Sequence, residues 1–327
     1  MEKVGKRLAV LVGCNYENTK YRLHGCHNDV LAMRKVLVNR FGFDSQHIEL
    51  IMDKSGSLVM PTGANIKKAL NKMVDEAEPG DVLYFHFSGH GTLTGKKKQE
   101  EAIIPVDFNY ITNVDIRKIV NRVPEGATFT ILSDSCHSGG LIDKEKEQIG
   151  PSHHKPKYQE EGNNNNNYAS FPNKLGSTSQ SYYKRKFIPH ETVLEHLTSL
   201  TNISTLDIGS HMLQLFGNEA SVLFSLPQVE LDLLKPLKQD EGILLSGCQA
   251  NETCQDVGGG NENDEKSYGA FSHAILIVLK ENCGPLSNKE LVLKSRDVLK
   301  NDEHIVTQHP CLYCSDENAQ AVFLSQG

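Results

Sequence analysis

Short apolar runs alternate with amphipathic stretches through the first 140 residues. Strands are predicted at 8–14 (LAVLVGC), 47–52 (HIELIM), 81–90 (DVLYFHFSGH) and 127–136 (ATFTILSDSC), and residues 29–41 and 64–77 have helical spacing. Continuous apolar runs are typical of parallel strands that are buried on both faces. The pattern therefore predicts an α/β fold, namely an α/β/α sandwich with a mainly parallel central sheet.

The alternating pattern stops between Leu141 and Lys235. This stretch contains runs of charged residues, five consecutive asparagines at 163–167, and scattered serine and glycine. Such a composition predicts a long insertion that is solvated and partly disordered. Within it, residues 189–200 and 204–216 have helical spacing, and we expect them to dock on the core.

The apolar pattern returns after the insertion. Residues 242–248 (GILLSGC) predict a buried strand, 268–280 and 288–300 predict helices, and 319–325 (AQAVFLS) predict a last strand. Because both flanking blocks look like parts of one sheet, we predict a single domain. It consists of a first block at 1–140, a linker at 141–235 and a second block at 236–327.

Composition narrows the possible partners and compartment. The 327 residues carry a formal net charge of -7, which argues against a nucleic-acid surface. The first apolar run is too short for a secretory signal, and no stretch is long enough to span a membrane. Eight scattered cysteines fit free thiols in a reducing compartment. We expect a cytoplasmic monomer, with the nucleus and later release from the cell left open.

A cysteine and a histidine each follow a predicted strand. Cys136 ends the run ILSDSC, and His90 ends DVLYFHFSGH. If the two strands are neighbours in a parallel sheet, both side chains emerge at its carboxyl edge, where the histidine can act as the base for a nucleophilic thiolate. The N–H groups of Gly91 and Cys136 are then expected to form an oxyanion hole.

Other histidines and cysteines have simpler explanations. His86 is a rival base, but it lies inside a predicted strand, where a core histidine is the better interpretation. Cys14, Cys248 and Cys283 are expected to be small core residues. Cys136 differs from them because it lies among polar residues and glycines at the end of a strand.

Several motifs together resemble those of one peptidase family. SGHG after one strand and DSCHSGG after the next resemble the histidine and cysteine boxes of caspase-like cysteine peptidases. With GCHND near the start and SGCQANET, YGAFSHA and QHPCLYCSD near the end, nearly the whole chain resembles the plant type II metacaspases. The resemblance implies a caspase-like fold and a dyad of Cys136 and His90. It also implies that the first block corresponds to a large subunit and the last to a small one.

The resemblance also implies cleavage of protein substrates after Arg or Lys. A pocket for a buried cationic side chain needs carboxylates, and Asp134 and Asp29 are the candidates near the two boxes. Cys26 and Ser88 match positions that line the same pocket in the family. On the sequence alone, Asp29 is equally well explained as an acid favoured at a helix N-terminus.

The linker contains its own candidate substrate. Lys184, Arg185 and Lys186 form a basic run, which elsewhere is usually solvated surface. Type II metacaspases mature by cuts in such a linker, so the resemblance implies a zymogen that cleaves itself, and we favour a cut after Arg185 or Lys186. Two alternatives stay open. They are an inactive caspase-like scaffold that only binds partners, and an Asn-specific peptidase of the legumain kind.

We predict that no metal or cofactor is required. His309, Cys311 and Cys314 include one C-x-x-C pair, whereas a structural zinc site typically needs a second pair. Most type II metacaspases are activated by calcium, and the stretch 256–265 is rich in acids. That stretch lacks the regular spacing of calcium ligands, so we expect no obligatory ion.

Overall fold

A computed structural model describes residues 5–94, 100–142, 146–150, 182–201, 203–226, 242–249, 252–258, 267–302, 305 and 308–325. Its central sheet contains β1 (Arg7–Gly13), β2 (Ile48–Met52), β3 (Val82–Ser88), β7 (Thr128–Asp134), β9 (Ile243–Ser246) and β12 (Cys311–Tyr313). The strand order is β12-β9-β7-β3-β1-β2. Neighbouring strands are parallel except for β12, which pairs antiparallel with β9.

Two small antiparallel sheets and a set of helices surround the central sheet. The small sheets are formed by β4 (Gly91–Thr94), β5 (Glu100–Ile103) and β6 (Ile111–Thr112), and by β8 (Tyr182–Arg185), β10 (Gln255–Gly258) and β11 (Tyr268–Gly269). Within the described ranges, the helices are α1 (Cys26–Phe41), α2 (Gly63–Asp75), α3 (Asn113–Val120), α4 (His190–Thr201), α5 (Ile208–Phe216), α6 (Val222–Ser225), α7 (Ala270–Glu281), α8 (Asn288–Lys300) and α9 (Asp316–Gln320). Among the described residues, no helix has the length and apolar character needed to cross a membrane.

Each face of the central sheet has its own core. Successive strand residues point to opposite faces, so Leu8, Val10 and Val12 of β1 pack with buried residues of α2, α3, α4 and α5. Ala9 and Leu11 of the same strand pack with α1, α7 and α8 instead. Helices therefore cover both faces, which confirms the predicted α/β/α sandwich with a mainly parallel sheet.

Local sequence signals set the ends of several helices. Thr62 caps α2 by accepting the N–H of Asn65, and Ser287 and Glu290 form a capping box at the start of α8. Gly42 follows α1 with a φ of 68°, a left-handed conformation that favours glycine. The predicted helices of both blocks are therefore present, close to their predicted ends.

The predicted last strand at 319–325 is wrong. Ser315 caps the short helix α9 by accepting the N–H of Asn318, and the chain then turns. The apolar residues that suggested a strand have another role, because Phe323 and Leu324 are buried in the core that also contains α1 and α7. The last strand of the central sheet is β12.

Part of the insertion is packed against the core and is not solvated. β8 pairs with β10, and α4 and α5 bury apolar residues in the same core as α2. The helices predicted at 189–200 and 204–216 are thus confirmed. The asparagine tract within 151–181, and residues 227–241, lie outside the described residues. Disorder of these stretches and the block boundaries near 140 and 235 stay predictions.

Candidate active site

The two strands that carry the predicted dyad are neighbours. β3 pairs with β7 in parallel, with Ser88 opposite Asp134 at the carboxyl end. His90 and Cys136 each follow two residues later, so both lie at the same edge of the sheet. The two backbones approach closely there. A side chain at Gly91 would collide with the carbonyl group of Cys136, so glycine is required.

One carbonyl oxygen lies between the two loops that follow these strands. The backbone N–H groups of Gly91 and Cys136 both donate to the carbonyl oxygen of Lys186, at 3.0 and 3.3 Å. Two donors that converge on one carbonyl oxygen have the geometry of an oxyanion hole. The oxygen that they bind belongs to the linker of the same chain.

The linker crosses this edge in an extended conformation. β8 ends at Arg185, and the next N–H, that of Lys186, donates to the carbonyl oxygen of Cys254 at 2.9 Å. Two residues later, the N–H of Ile188 donates to the carbonyl oxygen of Gly91 at 3.2 Å. Main-chain pairing of this kind is how extended peptides bind at sheet edges. The chain on both sides of Lys186 is therefore held like a bound peptide.

The side chain of Lys186 fills a pocket beneath the edge. It has no exposed surface, and its Nζ lies 2.9 Å from Ser88 Oγ, 3.2 Å from Asp134 Oδ1 and 3.6 Å from Asp29 Oδ2. Burial lowers the pKa of this amine, but the surrounding charges, that of Asp134 first, outweigh burial and raise the pKa well above its usual value. The buried amine is therefore a cation. Arg185, by contrast, is exposed.

Further hydrogen bonds fix the two pocket carboxylates. Ser88 Oγ donates to Asp29 Oδ2 at 2.7 Å, and the N–H of Gly269 donates to Asp29 Oδ1 at 2.9 Å. The N–H of Ser272 donates to Asp134 Oδ2 at 2.8 Å. Burial raises the pKa of Asp29 to about 7, although the bound cation opposes the shift. Two buried acids that face one side chain stabilise a positive charge on it.

Cys26 borders the same pocket from the first turn of α1. It is fully buried, and its thiol contacts Ser88. Burial raises the pKa of this thiol well above its usual value, although the charge of Lys186 opposes the shift. The structure thus brings all four predicted pocket residues around one lysine side chain. They are Asp29, Asp134, Cys26 and Ser88.

His90 is held by two tyrosines. Its Nε2 lies 2.7 Å from the carbonyl oxygen of Tyr21, and its backbone N–H donates to the Tyr16 hydroxyl at 2.8 Å. The Tyr16 and His90 ring centroids are 4.6 Å apart. Since a carbonyl group only accepts hydrogen bonds, Nε2 carries the proton and Nδ1 is available to take one. Burial lowers the pKa of His90 to about 3, so the imidazole is neutral.

The thiol of Cys136 is buried beneath the linker. The N–H of Cys254 donates to its sulfur at 3.0 Å, and the linker residue Phe187 packs against it. Sequence reasoning missed Cys254, Tyr16 and Tyr21 as neighbours of the dyad. They lie in loops that only the fold brings together, and no spacing in the sequence marks them.

His86 and two of the three expected core cysteines lie where they were predicted. His86 is fully buried, its Nε2 lies 3.1 Å from Ser272 Oγ, and burial lowers its pKa to about 3. Cys14 and Cys248 are buried, but the prediction for Cys283 is wrong, because this residue is exposed in the short loop after α7.

The residues considered for zinc have other contacts. The Nδ1 of His309 lies 2.5 Å from a carboxylate oxygen of Glu252, and Cys311 and Cys314 are buried separately. Within the part of the chain that the structure describes, no group of three or more His, Cys, Asp or Glu side chains is arranged to hold a metal ion. Of the acid-rich stretch 256–265 only the first three residues are described, so calcium independence stays a prediction.

The chain resembles known proteins over its whole length. It is 53% identical to Metacaspase-9 of Arabidopsis thaliana over 338 residues, which covers 99% of the chain and 98% of that protein. The chain belongs to the metacaspase family. A family model for the metacaspase, peptidase C14 domain matches residues 6–145 of this metacaspase. Metacaspase-6 of Arabidopsis thaliana is 36% identical to it, with 97% of the chain and 99% of that protein covered.

A bacterial protein of solved structure shares the fold of this metacaspase. Protein GSU0716 from Geobacter sulfurreducens matches with a TM-score of 0.56 at 16% identity, covering 98% of the chain and 99% of its own. At that identity the likeness concerns the fold alone. Metacaspases are caspase-like cysteine peptidases, and family membership therefore confirms the class of protein that the motifs predicted.

Proposed function

We propose that the protein is an endopeptidase that cleaves after Lys or Arg, and that it is made as a zymogen that cuts its own linker. One observation carries the proposal. The amine of Lys186 is buried beside two carboxylates, while the carbonyl oxygen of the same residue accepts the N–H groups of Gly91 and Cys136. The Lys186 side chain, which would determine specificity, and the peptide bond that follows Lys186 are thus both in position for cleavage.

Each group at the edge has a chemical role in this proposal. Nδ1 of His90 takes the thiol proton of Cys136, and the thiolate attacks the carbonyl carbon of the scissile bond. The negative charge that develops on the carbonyl oxygen is stabilised by the N–H groups of Gly91 and Cys136. The imidazolium then protonates the leaving amine, and water hydrolyses the acyl-enzyme.

The contacts favour Lys186–Phe187 as the bond that is cut in the linker. Arg185, the other predicted position, is exposed and lies within β8, where its partner strand is β10. Until the bond is cut, the linker fills the pocket and covers Cys136, which has no exposed surface. The uncut chain therefore excludes other substrates.

Mass analysis of the wild-type chain beside Cys136→Ala tests the proposal. We expect the wild type to convert into two fragments that end at Lys186 and begin at Phe187, and the variant to stay intact. Lys186→Gln is a matched variant that keeps Arg185 but removes the cation from the pocket, and it should leave this bond uncut. Fragments from Cys136→Ala, or a wild-type cut after Arg185, would contradict the proposal. Repeating the reaction with a chelator tests the expectation that no ion is required.

Fluorogenic peptides that end in Arg, Lys, Asn or Asp separate the proposal from its alternatives. We expect the cut protein to hydrolyse the Arg and Lys peptides, because a pocket with two buried acids favours a cation. Turnover of the Asn peptide alone would favour a legumain-like peptidase. A folded, cut protein that hydrolyses none of the four would favour a binding scaffold.

A further inference from the structure

Three buried thiols lie together at the edge that carries the dyad. Cys136, Cys248 and Cys254 form a separate cluster, none of them has exposed surface, and Phe187 of the linker packs against them. The proposed hydrolysis uses the first thiol and leaves the other two without a chemical role. An activated thiol with a second thiol in reach is the arrangement that allows oxidation to a disulfide.

Cys254 is the partner that the contacts favour. Its backbone N–H donates to Cys136 Sγ at 3.0 Å, and its own thiol donates to the carbonyl oxygen of Ser135 at 3.1 Å. Burial raises the pKa of Cys254 well above its usual value, and hydrogen bonds between its protonated thiol and the sulfurs of Cys136 and Cys248 raise it further. The thiol of Cys248 instead donates to the carbonyl oxygen of Glu252 at 3.5 Å.

We propose that Cys136 and Cys254 form a reversible disulfide when the cut enzyme meets hydrogen peroxide. The proposal rests on the nucleophilic role that the proposed function gives to Cys136. In the uncut chain, Lys186 and Phe187 cover the thiol cluster. Departure of this segment opens the cluster to small solutes, so the pair is an oxidation site of the cut enzyme.

The reaction has two steps and consumes one peroxide. The Cys136 thiolate attacks a peroxide oxygen, an S–O bond forms, the O–O bond breaks, and the departing hydroxide takes the proton that His90 had accepted, giving water. The thiol of Cys254 then loses its proton and attacks the sulfenic sulfur. An S–S bond forms, the S–O bond breaks, and a second water leaves. Two thiols are oxidised and the peroxide is reduced.

The disulfide stops hydrolysis and preserves the enzyme. The disulfide removes the nucleophilic thiol. It also restrains Cys254, whose carbonyl oxygen accepts the N–H of Lys186 at 2.9 Å and would bind the backbone of a substrate in the same way. A sulfenic acid that is trapped as a disulfide does not advance to the irreversible sulfinic acid. Because the Cys254 thiol has to lose its proton before it attacks, the second step is expected to accelerate as the pH rises.

Peptide mapping tests the proposal on the cut protein with both of its fragments present. After peroxide treatment without reductant, we expect a cross-linked peptide pair that contains Cys136 and Cys254 and that dithiothreitol separates. Hydrolysis of an Arg peptide is measured as a fraction of each variant's own starting rate. It should return with dithiothreitol in the wild type and in the matched variant Cys248→Ser. In Cys254→Ser the recovered fraction should be lower by about 10-fold, because the sulfenic acid oxidises further.

A cross-link confined to Cys248 and Cys254, or full recovery of Cys254→Ser, overturns the proposal. Oxidation of the exposed Cys283 serves as an internal check that peroxide reached the protein. The peptide map does not depend on activity, so the two proposals fail separately. An active enzyme without a Cys136–Cys254 disulfide would contradict the disulfide proposal alone. A protein that forms the disulfide but never hydrolyses a peptide would contradict the peptidase proposal alone.

Discussion

The orientation of His90 depends on the hydroxyl group of Tyr16. That hydroxyl accepts the His90 N–H and donates to the carbonyl oxygen of Ile104 at 2.5 Å, so it connects the loop after β3 to the chain after β5. Tyr16 has a φ of 51°, a left-handed conformation that costs a residue with a side chain about 1 kcal/mol or more. The strained backbone thus occurs where an imidazole has to be oriented.

We expect Tyr16→Phe to lower kcat about 10-fold with little change in KM, because one lost buried hydrogen bond of about 1.5 kcal/mol leaves the His90 N–H unpaired. Steady-state hydrolysis of an Arg peptide measures both constants. Tyr84→Phe is the matched control, because the Tyr84 hydroxyl is also buried but has no hydrogen-bond partner among the described residues. Equal losses in the two variants would contradict a positioning role for Tyr16.

At the scale of residues, the sequence predicts where the proposed dyad lies but not which basic side chain occupies the pocket. Cys136 and His90 end runs whose strand character is clear from the apolar pattern alone. The choice of Lys186 follows from an alternation that begins in β8 and continues one residue beyond it, so that Lys184 and Lys186 are buried and Arg185 is exposed. That phase is set by pairing with β10, which lies far along the chain, so no local pattern reveals it.

At the scale of elements, two helix N-termini meet at the pocket. Asp29 lies in the first turn of α1, and α7 begins directly after Gly269 and donates the N–H of Ser272 to Asp134 at 2.8 Å. The N-terminus of a helix carries partial positive charge that favours carboxylates. The two explanations that the sequence left open for Asp29 are therefore compatible, because it is a helix N-terminal acid that also faces the bound lysine.

The junction of β11 and α7 has no room for a side chain. A methyl group at Gly269 would overlap the amine of Lys186 and oxygens of both pocket carboxylates. We expect Gly269→Ala to lower kcat/KM for Arg and Lys peptides by about 100-fold, because the bound cation and its acids have to move apart in a buried site.

Gly284→Ala provides the control for this substitution, since a methyl group there meets open space. Circular dichroism checks that both variants are folded. Similar kcat/KM values for the two variants would mean that the cationic side chain of a substrate binds elsewhere.

Element length decides which parts of the fold could be predicted. The long strands and helices of the sandwich follow from periodicity, whereas the strands of the two small sheets have only two to four residues, too few to show a period. The segment at 319–325 misleads for a related reason. Its apolar residues lie in a turn and are buried in the core, and burial alone does not distinguish a turn from a strand.

At the scale of the whole molecule, the two sides of the linker share one sheet. β9, which follows the linker, pairs with β7 on one side and with β12 on the other. α7 contributes to the same core as α1. Hydrolysis of the bond after Lys186 breaks no pairing of the central sheet.

We therefore expect the cut protein to stay in one piece, because separating the fragments would expose the apolar core on both faces of β7 and β9. In size-exclusion chromatography the cut protein should elute at the volume of the uncut Cys136→Ala chain. A denaturing gel of that peak should contain both fragments. Elution of the fragments in separate peaks would contradict a shared core.

Acid is expected to destabilise the whole chain through its buried histidines. Burial lowers the pKa of His86 and that of His90 to about 3, so below about pH 6.5 the unfolded chain binds protons that the folded chain does not. The free energy of unfolding then falls as the pH falls. Asp29 acts with the opposite sign, because its pKa of about 7 lets the folded chain take up a proton first.

Urea unfolding of Cys136→Ala at pH 7 and at pH 5 measures this loss. Adding His86→Gln should reduce the loss between the two pH values by about 2 kcal/mol, because one buried neutral histidine is removed. The exposed His47→Gln, added to the same chain, is the control and should leave the loss unchanged. The same loss in both variants would show that protonation of His86 is not resisted by folding.

If the Lys186–Phe187 bond is the first to be cut, as proposed, every molecule holds its first substrate within its own chain. That first cleavage would then be unimolecular, and its half-time would be the same in dilute and in concentrated protein solution. Each molecule would become active independently, without being cleaved by a molecule that is already active. The time of activation would depend on how the segment around Lys186 binds at the edge of the sheet, and not on the concentration of the protein.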